Sequence, residues 1–579
     1  MSIPDVKSMK ALTDNRLIII LIALCLVSYC RTFDVPFMFD DFDCIANNPF
    51  IRDFGNLFNK SAALQTYAAN PGVLQDTLNN FITRPMSYLT FAIDYYIHGK
   101  TVAGYHLVNT FIHTLNVVIV YLLVRVSIRT LSEKNNQNPN ALPTADAIRI
   151  AFVTAALFAV HPLMTNAVTY IIQRMTSLVA LCYLAGLLFY AYFCSSHNQS
   201  RKALFYGFSL FSCCAGMLTK ETAFTLPAML LLYDMVFCRG ELRTRIIRLT
   251  PFLLTMVIIP YNLIGLSNSE ASQVGGVLSP SLNLINFSNV SSWEYLLTQF
   301  RAIAFYLHLL LMPVGLSLEH GFRVSHSLGE PTVILSLLLH LSLVGYASYL
   351  LWSSRNSCKP CTIDALAGFG ILWFYITLSV ESSIIPLNEM AVEHRTYLPS
   401  LGIFLFATCL VHKLVDKYSS AGNGLKAEYF IWIPVISMLM YLTMMRNEVW
   451  RKPDEFWKQT ISLYPKLARP YANLADYHIN RGALGDAIAV YSWSIQEMPY
   501  EPVLHYELGN VFLLAKDYQA GIHELIQAIR MKPDLRKAYD SLAKAYLYSG
   551  RPELAYETLD SANRLSPGLP PGGLPGGTP

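Results

Sequence analysis

The chain has 579 residues, of which 53% are hydrophobic and only 14% are charged, whereas soluble domains average about 25% charged residues. Its net charge is only +4, and Lys and Arg cluster in short loops, which argues against nucleic acid as a partner. Many apolar runs approach the ~20 residues that cross a bilayer. The composition therefore predicts an all-α, polytopic membrane domain and excludes an ordinary soluble enzyme.

The first apolar run, at residues 17–30, follows Lys7, Lys10 and Arg16 as the apolar core of a signal peptide would. Its end, residues 27–31, reads VSYCR and offers no A-x-A cleavage site. We therefore expect a retained membrane anchor.

Eleven further apolar runs follow the anchor, and several of them need flanking residues to reach across a bilayer. They lie at residues 105–126, 149–163, 167–194, 203–218, 222–237, 249–266, 295–316, 332–353, 365–381, 396–414 and 427–445.

Charge gives these runs an orientation. Lys and Arg concentrate in alternate connections, which the positive-inside rule places in the cytoplasm, whereas segment 267–294 has neither and is predicted outside. Twelve crossing runs would put the Arg355 loop outside, so we assign a re-entrant or interfacial position to 295–316, which carries Arg301 and His308. The alternative is an ordinary span that violates the rule. The prediction is eleven spans, with the amino terminus inside and the carboxyl terminus outside.

An acidic cluster follows the anchor in the first outside loop, residues 31–104. Asp40, Asp41 and Asp43 lie within four residues and are framed by aromatic side chains. Partial burial and mutual repulsion would raise the pKa of one carboxyl toward the working pH, which suits a general base. A site for Mg²⁺ or Mn²⁺ is the alternative role for the three carboxylates.

Other polar residues occur at the outer ends of the spans, where an uncompensated charge is costly and so indicates function. A base near a nucleophile and fixed positive charge near a departing phosphate would support transfer from a phosphate leaving group. Snorkelling or helix packing is the alternative for each, and we prefer packing for His113. We assign phosphate binding to Arg84, Arg174, Lys220 and Arg395, and supporting roles to His106, Asn109, His161, Glu221, Glu393 and His394.

Three motifs bear on which kinds of reaction the chain could catalyse. The chain has no P-loop and no G-x-G-x-x-G, so nucleotide-driven functions lose their main support. Cys358 and Cys361 could form a redox or zinc half-site, but no second pair exists and their loop is predicted to be cytoplasmic. We expect idle thiols there.

The carboxyl-terminal region carries a repeat. Its period is 34 residues, typical of tetratricopeptide repeats, and it predicts three helical hairpins at about 468–501, 502–535 and 536–567 that form a small solenoid with a concave, peptide-binding face. A structural lid without a ligand is the alternative. The Pro/Gly-rich tail, 568–579, should be disordered. Prolines at the equivalent positions are Pro465, Pro499, Pro533 and Pro567, and the residues assigned to acceptor binding are Tyr471, His505 and Tyr539.

Several of these motifs together resemble the transmembrane and tetratricopeptide repeat glycosyltransferases, which are relatives of protein O-mannosyltransferases within the GT-C superfamily. The resemblance covers nearly the whole chain. It rests on Phe39-Asp40-Asp41, Asn47-Asn48-Pro49, Arg84-Pro85 with Thr90-Phe91, GYHLVN at 104–109, His161-Pro162, Thr219-Lys220-Glu221 and EHRTYLPS at 393–400, followed by the 34-residue repeats.

The resemblance implies a fold and an activity. It implies a GT-C-type membrane domain at 1–445 and outside repeats at 446–567. It also implies a polyprenyl- or dolichyl-phosphate-linked sugar as donor and a Ser or Thr hydroxyl of an exported protein as acceptor, with Asp40 or Asp41 as the base. No cofactor is expected, although a lipid pyrophosphate donor would call for Mg²⁺ or Mn²⁺. The short repeat array favours a bacterial inner membrane with periplasmic repeats, with the endoplasmic reticulum and its lumen as the alternative.

Two functions of other classes compete with an inverting glycosyltransferase. A non-catalytic scaffold would use the spans only to anchor the repeats, and it has no need for charges at so many outer helix ends. A transporter would require inverted repeats and broken helices at mid-membrane, and the spans show no internal symmetry.

Overall fold

The computed structural model describes residues 6–70, 72–134, 142–238, 240–267, 290–356, 362–387, 389–419 and 424–565. These residues form helices and connecting segments, and no β-strand occurs among them. The all-α class predicted from composition is confirmed. The chain divides into two compact units, Met1–Ser267 with Val290–Arg451, and Lys452–Pro579 with Asn268–Asn289.

The first unit contains eighteen α-helices within the described residues, and short 3-10 or π turns begin or join several of them. The helices are α1 Val6–Ser28, α2 Gly55–Phe58, α3 Lys60–Ala68, α4 Gln75–Thr83, α5 Pro85–His98, α6 Val102–Lys134, α7 Thr144–Val160, α8 Thr165–Val168, α9 Arg174–Ser195, α10 Gln199–Met217, α11 Leu226–Phe237, α12 Leu242–Thr255, α13 Ile258–Ser267, α14 Ser292–Leu311, α15 Pro331–Asn356, α16 Thr362–Leu378, α17 Tyr397–Tyr418 and α18 Gly424–Trp450.

Several of these helices are long and apolar enough to cross a membrane. Five pass by length and composition, and a sixth is obtained if α7 and the short helices after it, bent by 54°, count as one broken span. The five lie at Val102–Glu133, Ile171–Ser195, Pro331–Arg355, Glu393–Tyr418 and Lys426–Trp450.

The eleven-span topology is thus not reproduced in number, and it stays a prediction. The shortfall has local causes, because α11 has only 12 residues and α16 only 17. The run at 249–266 is divided between α12 and α13 by a break at Met256 and Val257. The helix α14, which we expected not to cross, is not among the five.

Close packing of α16 against α17 fixes the outer end of α17. Gly370 and Gly402 face each other so closely that a Cβ on either would collide with the carbonyl oxygen of the other. Small residues permit this backbone approach between membrane helices. The indole of Trp373 on α16 donates to the carbonyl of Leu398 in the first turn of α17, at 2.9 Å. This pairing holds the segment that precedes α17 in place.

The second unit consists of helices arranged in a regular series. A lone helix, α19, precedes three helix pairs whose first members begin at 468, 502 and 536, an interval of 34 residues. These pairs match the predicted repeat boundaries, while their assignment as tetratricopeptide repeats stays a prediction, and the tail at 568–579 lies outside the described residues. The helices are α19 Pro453–Leu463, α20 Ala468–Asn480, α21 Leu484–Glu497, α22 Pro502–Leu514, α23 Tyr518–Met531, α24 Arg536–Tyr548 and α25 Pro552–Leu565.

Candidate active site

The start of α9 brings distant parts of the first unit together. The backbone N–H of Ile172, in the turn that precedes α9, donates to Asp41 Oδ1 at 2.8 Å. Thr176 Oγ1 accepts from Lys220 Nζ at 3.0 Å. Met175 Sδ accepts from Arg84 Nη1 at 3.6 Å. Three predicted site residues, separated by more than forty positions in sequence, therefore each contact the short stretch 172–176.

Asp41 is the buried member of the acidic cluster. Its side chain is 1% exposed, and its second oxygen accepts from the Met38 backbone N–H at 3.0 Å. Burial raises the pKa of Asp41 to about 8, although the backbone hydrogen bonds from Met38 and Ile172 oppose the rise. Backbone donors therefore hold both oxygens of a carboxyl whose pKa lies well above its ordinary value.

Asp40 has different surroundings. It is half-buried, and its backbone N–H donates to Tyr170 Oη at 3.1 Å. The preceding Phe39 has φ of +46°, in the left-handed region that a bulky residue seldom adopts. Such strain is typical of functional segments that the surrounding fold holds in place. Asp40 is therefore the carboxylate of this pair that a substrate could approach.

Asp43 lies in a π-helical turn, Phe42–Ala46, and is exposed. In the described part of the chain, Asp40, Asp41 and Asp43 do not form a group whose ligand oxygens lie within 4.8 Å of one another. The three carboxylates are therefore not gathered around one point among the described residues, and the alternative Mg²⁺ or Mn²⁺ site stays a prediction. The physical reason is that Asp41 points its oxygens at backbone donors.

One other group does bring three ligand atoms within 4.8 Å, in the ranges that the structure describes. It consists of Cys194, Asp234 and Cys238. The fully buried carboxylate of Asp234 is, however, already paired with Arg245 and Arg248, at 3.2 and 2.6 Å. A metal ion would have to displace both guanidinium groups from it. The predicted idle thiols, Cys358 and Cys361, lie outside the described residues.

Arg84 and Glu221 form a bidentate ion pair. Arg84 donates from Nε and Nη2 to the two carboxylate oxygens of Glu221 at 3.2 and 3.1 Å. Burial raises the pKa of Glu221, but the neighbouring Arg84 outweighs it and leaves this pKa below its ordinary value. Thr83, Lys220 and Glu221 line a small cavity.

Lys220 is paired with a carboxylate that sequence reasoning missed. Its Nζ lies 2.6 Å from Glu381 Oε1, which also accepts from Thr222 Oγ1 at 3.0 Å. Burial opposes ionisation of Glu381, but Lys220 and Arg395 lower its pKa to about 2. A signal existed, because Glu381 is the charged residue that ends the apolar run 365–381, and charges at outer span ends were the criterion for the others.

The segment before α17 completes this charged group. Arg395 donates to the carbonyl of Glu389 at 2.9 Å and to Tyr295 Oη at 3.4 Å. His394 interacts electrostatically with Lys220 and with the other charges around it. Its Nδ1 is buried and has no hydrogen-bond partner in the described part of the chain.

Arg174 is fully buried, and protein groups surround its guanidinium. It pairs with Asp94 Oδ2 at 2.5 Å, and it donates to Asn109 Oδ1 at 2.6 Å and to the Tyr105 carbonyl at 3.0 Å. Its guanidinium also stacks 4.6 Å from the Phe91 ring centroid. The predicted phosphate contact of Arg174 therefore does not fit its surroundings. Asp94 neutralises its charge, and its N–H groups donate to other protein groups.

The predicted supporting residues on α6 and after α7 are also structural. Asn109 donates to the carbonyl of Val168 at 3.0 Å in addition to accepting from Arg174. The two histidines, His106 and His161, are buried and donate from Nε2 to backbone carbonyls at 2.9 and 3.2 Å. They fix the segment after α1 and the turn after α7 against the helices.

Glu393 faces away from the Lys220 group. Its side chain is fully buried, and one oxygen accepts from the Ser317 backbone N–H at 2.5 Å and from His320 Nε2 at 3.2 Å. It therefore anchors the segment that follows α14. His113, for which we preferred packing, bonds to Tyr397 Oη at 2.8 Å and to the Ala159 carbonyl at 3.2 Å.

The three predicted acceptor-binding residues lie inside the helix pairs of the second unit. Tyr471, His505 and Tyr539 each donate to the carbonyl of the proline six residues earlier, at 3.1, 3.4 and 3.0 Å. Tyr471 is fully buried, and His505 also bonds to Glu524 at 2.7 Å. Acceptor binding by these side chains does not fit this placement, because each one ties a loop to its own helix pair.

The chain is similar in sequence to several known proteins. No protein-family model matches the chain. The protein O-mannosyl-transferase Tmtc3 of Drosophila melanogaster is 23% identical over 559 residues, which cover 88% of this chain and 58% of that protein. The protein O-mannosyl-transferase F38B6.6 of Caenorhabditis elegans is 23% identical and covers 82% of this chain and 61% of its own length. The protein O-mannosyl-transferase TMTC4 of Mus musculus is also 23% identical, with 80% and 64% coverage.

One solved structure overlaps much of the chain. The apo crystal structure of the Archaeoglobus fulgidus oligosaccharyltransferase covers 80% of this chain and 59% of that protein, with a TM-score of 0.38 and 11% identity.

The homologues correct one prediction and set the scope of the others. The relatives are animal proteins, and they do not support the predicted bacterial origin or inner-membrane location. The chain spans about three fifths of the length of the curated relatives it matches. With its several apolar helices, it is a multi-pass membrane protein whose homologues are protein O-mannosyl-transferases.

Proposed function

We propose that the chain is an inverting membrane glycosyltransferase that moves a sugar from a polyprenyl-phosphate carrier to a Ser or Thr hydroxyl of a protein. The names of the relatives favour mannose as the sugar and the endoplasmic reticulum, with luminal repeats, as the location. The supporting observation is that Asp41, Arg84 and Lys220 each contact the stretch 172–176 around the start of α9.

Asp40 is the proposed base. It would take the proton from the acceptor hydroxyl as the oxygen attacks the anomeric carbon, from the face opposite the departing phosphate. Asp41 would act as a positioning residue, because both of its oxygens are occupied by backbone donors. The strained backbone at Phe39 sets the two neighbouring carboxyls in these different environments.

Lys220, Arg395 and Arg84 are the proposed phosphate contacts, and His394 Nδ1 is a further donor. Fixed cations stabilise the charge that develops on a leaving phosphate. Arg174 is placed one layer behind, where it holds α5 and α6 against α9. A monophosphate donor fits a site without a three-carboxylate metal cluster, so we expect transfer to continue in the presence of EDTA.

The test is a transfer assay with purified protein, dolichyl-phosphate mannose and a Ser/Thr-containing peptide, with the product read by intact mass. Asp40→Asn should abolish transfer because the amide keeps the shape and loses the basicity. Asp34→Asn, which changes an exposed carboxylate of the same loop, is the matched control. Full activity of Asp40→Asn would remove this carboxylate from the reaction. No transfer by any form of the protein would favour the non-catalytic scaffold.

A further inference from the structure

Glu381 occupies the side of Lys220 that the proposed donor phosphate needs. The ammonium of Lys220 is 9% exposed and has Thr176 on one side and the Glu381 carboxylate, at 2.6 Å, on another. Thr222 donates to the same carboxylate oxygen at 3.0 Å. An anion that reaches Lys220 therefore meets a carboxylate already bound to it.

Proton uptake cannot remove this carboxylate under physiological conditions. Lys220 and Arg395 hold the pKa of Glu381 well below its ordinary value despite burial, which favours the charged carboxylate near neutral pH. Two negative groups cannot share one ammonium without strong repulsion in a poorly solvated site. Release of Glu381 must be a physical displacement.

The segment that carries Glu381 is suited to displacement. Glu381 follows the carboxyl end of α16, and Ile384, Ile385 and Leu387 come directly after it with 56%, 61% and 36% of their surfaces exposed. Exposed apolar side chains that follow the buried ion pair within six positions in sequence offer a surface suited to an isoprenoid chain. The carrier lipid can contact these side chains while its phosphate approaches Lys220.

We propose that Glu381 is a resident counter-ion that occupies Lys220 until the phosphate of the lipid-linked donor displaces it. The proposal rests on the proposed function, because it states which group occupies Lys220 when the donor phosphate is absent. Glu381 then sets donor affinity through competition, and the apolar segment at 384–387 couples that exchange to the carrier lipid.

The test measures binding directly, without catalysis. Farnesyl phosphate, an isoprenoid monophosphate without sugar, is titrated into the purified full chain in detergent. Glu381→Gln should tighten its Kd by about tenfold, within the range usual for coupled sites, because the competing charge is gone. Thr222→Val should tighten it less, since it only weakens the hold on the carboxylate. Glu330→Gln, which removes an exposed carboxylate elsewhere, should leave it unchanged.

A double-mutant cycle identifies the route of the effect. In a Lys220→Gln background, Glu381→Gln should change the Kd by less than about twofold, because the lysine for which it competes is absent. Inorganic phosphate should show the same ranking with weaker binding, since it lacks the lipid that contacts the 384–387 segment.

Four results would overturn the proposal. Weaker binding by Glu381→Gln would make Glu381 a residue that positions Lys220. Equal effects of Glu381→Gln with and without Lys220 would show that it acts elsewhere. No binding of farnesyl phosphate by any variant would remove the donor class and with it the proposed function, whereas binding that ignores Glu381 would remove only this inference.

Discussion

Two buried ion pairs of the first unit look alike in sequence and differ in structure. Arg174 with Asp94 is enclosed on all sides, with side chains 0% and 3% exposed and further donors bonded to Asn109 and a backbone carbonyl. Lys220 with Glu381 is 9% and 12% exposed and borders a segment of exposed apolar residues. The contrast teaches that a charged residue at the end of a span can serve either packing or chemistry. The two roles differ in whether the charged side chain is fully enclosed by protein partners or remains partly exposed.

The enclosed pair should matter most for folding. Arg174→Gln leaves Asp94 buried without its partner, which typically costs 3–5 kcal/mol. We therefore expect little folded protein in detergent, measured by size-exclusion recovery and Tm. Asp94→Asn combined with Arg174→Gln should recover part of the loss. A stable, inactive Arg174→Gln protein would contradict the packing role and return Arg174 to the phosphate contacts.

The open pair should matter most for turnover. Lys220→Gln should lower kcat by on the order of 10² to 10³, the usual effect of losing one preorganised charge contact, while the protein stays folded. The measurement is single-turnover transfer from dolichyl-phosphate mannose. Turnover within a few-fold of wild type, with Tm strongly lowered, would place Lys220 with Arg174 among the packing residues.

Asp41 offers a comparison by pH. Its folded-state pKa of about 8 lies above the ordinary value of 3.8, so the folded state binds a proton that the unfolded chain releases. The contribution of Asp41 to the free energy of unfolding should be greatest below pH 4, and it should be lost as the pH rises through about 8. Asp41→Asn should lose that dependence, which Tm measured from pH 5 to 8 would show. An identical pH profile for wild type and variant would contradict the buried position of the carboxyl.

The smallest effect is expected in the second unit, where the same interaction recurs in each helix pair. Tyr539→Phe removes one hydrogen bond to the Pro533 carbonyl and should lower stability by about 0.5–1.5 kcal/mol. Protein acceptor binding should be unchanged, because this hydroxyl is engaged within its own pair. A loss of acceptor affinity without a change in Tm would restore the predicted recognition role.

Sequence reasoning succeeded where the signal is local. Apolar runs located most of the long helices, and the 34-residue spacing located the helix pairs at 468, 502 and 536. It also drew attention to Asp40, Asp41 and Lys220, since charge at a membrane boundary is costly wherever it occurs.

It failed where the answer depends on which segments meet. The partners of Arg174 and Lys220 lie 80 and 161 positions away, at Asp94 and Glu381, and nothing local to either cation identifies them. Four predicted phosphate contacts therefore divide into one packing residue and three members of a charged group. The hydrogen bonds of Tyr471 and its equivalents to proline carbonyls were missed for the same reason, since equivalence in a repeat shows a shared position but not the direction a side chain faces.

The central claim is that the Asp40 carboxylate and the Lys220 group perform sugar transfer from a lipid phosphate. The most direct measurement is transfer of mannose from dolichyl-phosphate mannose to a Ser/Thr peptide by the purified chain, with Asp40→Asn and Asp34→Asn assayed at matched Tm. The account predicts transfer by wild type and Asp34→Asn and none by Asp40→Asn. Equal transfer by all three would contradict it.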